Sequence, residues 1–144
     1  MARNTILLRG DAVEDSFLVE ASVAIRPGML VEISPSAATH VQPHQTAGGA
    51  AAAIFARECH EDQGGDIDDT IAVSAEVTVL YPNLGSWINA YTSDTIAAGE
   101  WVESAGNGQI RLYGSGYRIG FARNASDLTG TYGRVEIVIQ PIGV

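Results

Sequence analysis

Lysine is absent: all eight basic residues are arginine, set against 17 acidic residues for a net charge of −9. A chain this acidic lacks the clustered positive charge that a phosphate backbone demands, so no nucleic-acid partner is expected. Arginine is also the basic side chain favoured in protein interfaces, where lysine is depleted. Cysteine occurs once, as Cys59, so no internal disulfide can form and no oxidising compartment is implied. Long apolar runs are missing too. MARNTILLRG holds only Ile6-Leu7-Leu8 between two arginines, too short for a signal-peptide core, and no later segment is long enough to span a bilayer. The expectation is a soluble, non-exported chain without a membrane partner, in which Asn124-Ala125-Ser126 matches the glycosylation pattern by accident.

What the sequence does hold is turns and short strands. In Thr95–Leu112, Gly99 turns the chain, Trp101, Val102, Ile110 and Leu112 are strand formers, and Asn107-Gly108 is expected to close a hairpin as a two-residue type I′ turn. The pattern I-x-x-G-x-x-V-E of Ile96–Glu103 also occurs at Ile25–Glu32, which predicts two similarly built corners. Further strands are expected over 29–33, 39–42, 51–58, 72–81, 86–91, 117–123 and 134–139, the last turning Val135, Ile137 and Ile139 inward. No helix is expected. The fold class read from this is mainly β: a single-domain sandwich or barrel of short antiparallel strands over residues 25–144. Residues 1–24 read as an extended N-terminal arm with pieces at 5–9 and 17–19, able to pair with the main domain or with a neighbour.

No constellation for chemistry is complete. Residues 58–70, ECHEDQGGDIDDT, gather oxygen ligands, but Ile71 stands where a calcium loop of the EF-hand kind needs glycine and no closing glutamate follows, so a solvated turn without metal is expected. Cys59, His60, His40 and His44 could form a zinc or catalytic site only by converging in the fold. Gly114-Ser115-Gly116 lacks the spacing of a nucleophile elbow and, with Gly120, misses a dinucleotide fingerprint by one residue. Neither an enzyme nor a cofactor is expected. Trp87, Trp101, Tyr91, Tyr113 and Tyr117 could make a sugar-stacking platform, although aromatics on strands more often belong to cores or subunit interfaces.

Phe55-Ala56-Arg57-Glu58, the loop Gln63-Gly64-Gly65-Asp66-Ile67-Asp68-Asp69 and the run Ile96–Gly108 together resemble head decoration (capsid cement) proteins of tailed bacteriophages. Ile119-Gly120-Phe121-Ala122 and Val135–Ile139 look like that family's last strands, and the resemblance covers about residues 25–144. It implies a non-enzymatic virion protein, made in the host cytoplasm, that binds the outer surface of the assembled head and bridges major capsid protein subunits, often as an oligomer, with a trimer favoured. It carries over no catalytic residues. Ile6, Leu7, Leu8 and Arg9 of the arm, with Trp87 and Trp101, are the candidate capsid or subunit interface residues. The alternative is a carbohydrate- or host-binding β module of a virion, which would display the tryptophans and tyrosines on an exposed face.

Overall fold

The computed structural model describes residues 5–20, 24–58, 67–130 and 132–140. Eleven strands follow in order: β1 Leu7–Arg9, β2 Ala12–Val19, β3 Val31–Ile33, β4 His40–Pro43, β5 Phe55–Ala56, β6 Glu76–Pro82, β7 Trp87–Tyr91, β8 Trp101–Ser104, β9 Ile110–Leu112, β10 Arg118–Ala122 and β11 Arg134–Ile139. They form a six-stranded sheet, β1-β7-β11-β10-β8-β9, and a five-stranded sheet, β3-β4-β2-β6-β5. Neither closes into a barrel, so the fold is sandwich-like. Pairing between the named strands is antiparallel except for the short parallel contact of β2 with β4 at Leu18–His40 and Val19–Val41.

Period-two alternation decides which side of each strand is buried. Val135, Ile137 and Ile139 of β11 are at most 1% exposed, as their alternation predicts. They join Ile88, Ala90, Val102, Ile110, Ile119 and Ala122 from the six-stranded sheet and Leu30, Phe55 and Leu80 from the other side in one core cluster. A second cluster belongs mainly to the five-stranded sheet, with Val19, Val31, Val41, Val77 and Val79 around Ile25, Met29 and Ile71. The two corners are alike in detail. Gly28 and Gly99 both sit at φ +87°, and Met29 N–H donates to Arg26 O as Glu100 N–H does to Ala97 O. A turn with positive φ at its third residue selects glycine. Each corner then launches one strand, β3 in one sheet and β8 in the other.

Of the two destinations open to the arm, its own domain is the one observed over the described residues. β1 pairs with β7, and Ile6 is fully buried in the first core cluster. Its N–H donates to the buried carboxylate of Glu58 at 2.7 Å. β2 lies inside the five-stranded sheet, in register with β6 from Ala12–Pro82 to Leu18–Glu76.

Three local expectations change. The strand read over 51–58 shrinks to Phe55–Ala56, because Ile54 N–H bonds to Ala52 O in a three-residue turn that spoils the ladder before it. The strand read over 72–81 starts only at Glu76: Ala75 N–H bonds to Ala72 O across a turn in which Ser74 takes φ +63°. The hairpin loop is longer than a two-residue turn. Ala105 N–H meets Gln109 O, and positive φ falls on Gly106 (+90°) and Gly108 (+77°) but not on Asn107. The loop takes this form because the other sheet holds it: Leu30 N–H donates to Gly108 O, and Gly108 N–H to His44 O.

Candidate protein-binding face

The side of the six-stranded sheet opposite the core carries one continuous row. Since Ile88, Ile137, Ala122 and Val102 point inward, their neighbours Trp87, Val138, Phe121 and Trp101 point outward. Strand register aligns them, with Trp101 opposite Phe121, Phe121 opposite Val138, Val138 opposite Trp87, and Trp87 opposite Arg9. All are half-buried except the exposed Arg9. The rings of Trp101 and Phe121 meet edge to face, centroids 5.6 Å apart.

Arginines cover this row. The Arg123 guanidinium lies 3.6 Å from the Trp87 ring centre and is ion-paired to Glu136 at 2.5 Å. Arg9 approaches the same ring at 5.0 Å. Arg118 lies 5.0 Å from Trp101 and 4.7 Å from Tyr113. Weakly hydrated, planar guanidinium groups stack well on aromatic faces and still present N–H donors at their edges. The arrangement therefore offers apolar area together with carboxylate-binding groups.

Glu103 anchors one end. It lies two residues beyond Trp101, opposite Arg111 of β9, yet is only 1% exposed. One carboxylate oxygen accepts from Arg111 Nε and Nη2 at 2.9 and 2.6 Å, the other from the N–H groups of Gly114 and Gly116 at 2.8 and 3.0 Å. Burial by itself raises the carboxyl pKa, but the Gly114 N–H, the Arg111 guanidinium and the Gly116 N–H together outweigh it and hold the group below its ordinary range. The Gly114-Ser115-Gly116 segment is thus a carboxylate cradle, and it carries Tyr113 and Tyr117 beside the row. The outer edge of the sheet is closed by side chains: Asp94 accepts from Leu112 N–H, and Thr92 donates to Ile110 O.

The interface residues expected from sequence divide. Arg9, Trp87 and Trp101 share the face. Ile6 has no surface to offer a partner, and Leu7, opposite Ile88, packs against the core. Leu8 is half-buried on β1. The tyrosines divide as well: Tyr113 is under Arg118 and Tyr117 is 57% exposed, but Tyr91 is buried in the second cluster. Arg118, Phe121, Arg123 and Val138 are not among the interface residues expected from sequence. The signal was present in the R-I-G-F-A-R alternation of β10, but joining it to Trp87 and Trp101 requires the strand order.

The chemical candidates do not assemble among the described residues. His44 is buried with both ring nitrogens engaged, one 2.6 Å from Ser104 Oγ and the other 3.2 Å from Ala50 O. The carbonyl of Ala50 can only accept, so the nitrogen beside it donates. His40 meets Thr39 Oγ1 at 2.9 Å. Cys59, His60, Glu61, Asp62 and Asp66 lie outside the described residues. At the ends of that loop, Glu58 receives the Ile6 N–H and Asp68 pairs with Arg134 at 3.5 Å.

The chain aligns with the N base of the head fiber gp8.5 of bacteriophage phi29, at TM-score 0.60 and 12% identity, covering 89% of this chain and 95% of that one. The fold is similar to that of this fiber base. By sequence, no family model and no curated protein matches.

Proposed function

We propose that this protein is a head decoration protein of a tailed phage, a non-enzymatic virion component that binds the outer surface of the assembled capsid. The observation that carries the reading is the likeness over nearly the whole of both chains to a protein of a phage head, which agrees with the decoration-protein resemblance of residues 25–144. In this role the protein bridges neighbouring major capsid protein subunits and self-associates, with a trimer favoured. A cement protein stabilises a shell by binding the assembled lattice and not free subunits, so assembly is pulled forward by mass action and strengthened by multivalency.

Cosedimentation with undecorated capsids, alongside unassembled capsid subunits, tests this. Binding to capsids alone is expected, and equal binding to free subunits, or none to capsids, overturns it. The outward-facing Trp87 and Trp101 favour one second reading, sugar binding. Stacking a sugar needs a bare ring face, whereas guanidinium groups already lie over both rings, so decoration is the stronger reading. A glycan array separates the two.

A further inference from the structure

Positive charge is left over on the arginine–aromatic face, in a chain where acids outnumber bases. Arg57, Arg111, Arg123 and Arg134 each pair with a carboxylate, and Arg26, at the corner before β3, donates to the Tyr91 hydroxyl. Arg9 and Arg118 pair with no carboxylate among the described residues and lie only against aromatic rings. Arg118 Nε is also buried without a hydrogen-bond partner, so part of that charge is desolvated with nothing in the chain to offset the cost. The acids on and beside the row are already engaged. Glu136 pairs with Arg123, Glu103 is enclosed in its cradle, and Glu100, next to Trp101, accepts from Ala97 N–H.

The two unmatched cations stand at opposite ends of the row. Arg9 lies at its β1 end, and Arg118 lies against Trp101 at its β8 end. In the order β1-β7-β11-β10-β8, four inter-strand gaps of about 4.8 Å make a span of roughly 19 Å. An extended segment of about six residues covers that distance. Along it, the half-buried Trp87, Val138, Phe121 and Trp101 offer apolar surface.

We propose that this face is the capsid-binding surface, and that it receives an extended segment of the major capsid protein displayed on the outside of the assembled head. The segment sets carboxylates against Arg9 and Arg118 and apolar side chains against the row between them. The inference rests on the decoration reading above, to which it adds the surface that binds and the chemistry it recognises. Charge complementarity selects the partner, because carboxylates form charge-assisted hydrogen bonds with the guanidinium groups that this chain leaves unmatched. Two copies meeting through this same face would bring its unmatched cations together and no free carboxylate to receive them.

Cosedimentation of Arg9→Glu, Arg118→Glu and the double variant with undecorated capsids tests this. Each reversal is expected to weaken capsid binding at least about tenfold, and the double variant more, while self-association is unchanged. Raising the salt concentration should weaken the wild-type complex with capsids. Arg118 is half-buried, so Arg9→Glu, at an exposed site, carries the test if Arg118→Glu fails to fold. Val13→Asp with Leu18→Asp adds the same charge as one reversal, at exposed positions of the five-stranded sheet, and should bind like the wild type; an equal loss there would make the effect one of net charge and overturn the assignment. Reversals that leave capsid binding intact, or that abolish self-association while capsid binding survives, overturn this face as the capsid contact and leave the decoration reading standing. A wild-type chain that leaves capsids undecorated overturns both.

Discussion

Glu103 places a negative charge where water cannot reach it, and the groups gathered round it show how such a charge is tolerated. Two peptide N–H groups on one oxygen and two guanidinium N–H groups on the other replace its hydration, as a buried charge requires. Glu103→Ala leaves the Gly114 and Gly116 N–H groups without their acceptor, while the exposed Arg111 can turn to water, so a loss of about 1–3 kcal/mol is expected in denaturant unfolding. The pH dependence has a definite sign. The folded-state pKa lies below the ordinary value, so the stabilisation is fully present above the unfolded carboxyl pKa of about 4.3 and disappears as pH falls through the lower folded value. Thermal melts of the wild type should therefore drop steeply on acidification below about pH 4. Those of Glu103→Gln should start lower and fall less across the same window.

The 105–109 loop and β1 are the elements whose behaviour follows most directly from what they touch. A two-residue type I′ turn would make Asn107 and Gly108 equally sensitive, but in this loop only the glycines take positive φ. Gly108→Val forces a β-branched residue into that region, with its Cβ only 3.0 Å from Pro43 Cβ and 3.1 Å from Met29 Sδ. A cost of about 1–3 kcal/mol or more is expected. Asn107→Ala loses a single 3.3 Å bond to Gln109 N–H and should cost about 0.5–1.5 kcal/mol at most. Urea midpoints for the two variants separate the turn types, and equal losses would restore the two-residue turn.

Deleting residues 2–12 extends the same reasoning to β1. The truncation removes fully buried Ile6 and leaves the Glu58 carboxylate without its backbone donor, losses of about 2–5 and 1–3 kcal/mol respectively. The truncated chain should therefore melt far below wild type. A truncated chain as stable as wild type would mean that the N-terminal segment is a detachable arm after all.

For the whole molecule, the first core cluster takes one face of the six-stranded sheet and leaves the other to the arginine–aromatic row. The chain's net charge of −9 hides this, because the arginines are unevenly placed. Arg9, Arg118 and Arg123 lie on the row, while Glu14 and Asp15 lie on β2 and Glu76 on β6. Uneven charge of this kind sets orientation and encounter rate between partners more than fold stability.

Short-range features were legible before any coordinates. The alternation of β11, the glycine corners at Gly28 and Gly99, the β3–β4 and β8–β9 hairpins and the absence of helix all depend on neighbours within a few residues, where side-chain period and backbone sterics act directly. The destination of Ile6-Leu7-Leu8 was not legible, because a short apolar run suits a core and a sticky arm equally well. The arginine–aromatic face was beyond local reading for the same reason. Trp101, Phe121, Val138, Trp87 and Arg9 come from five strands, and only strand order and register, set by long-range backbone pairing and a shared core, bring them into one row.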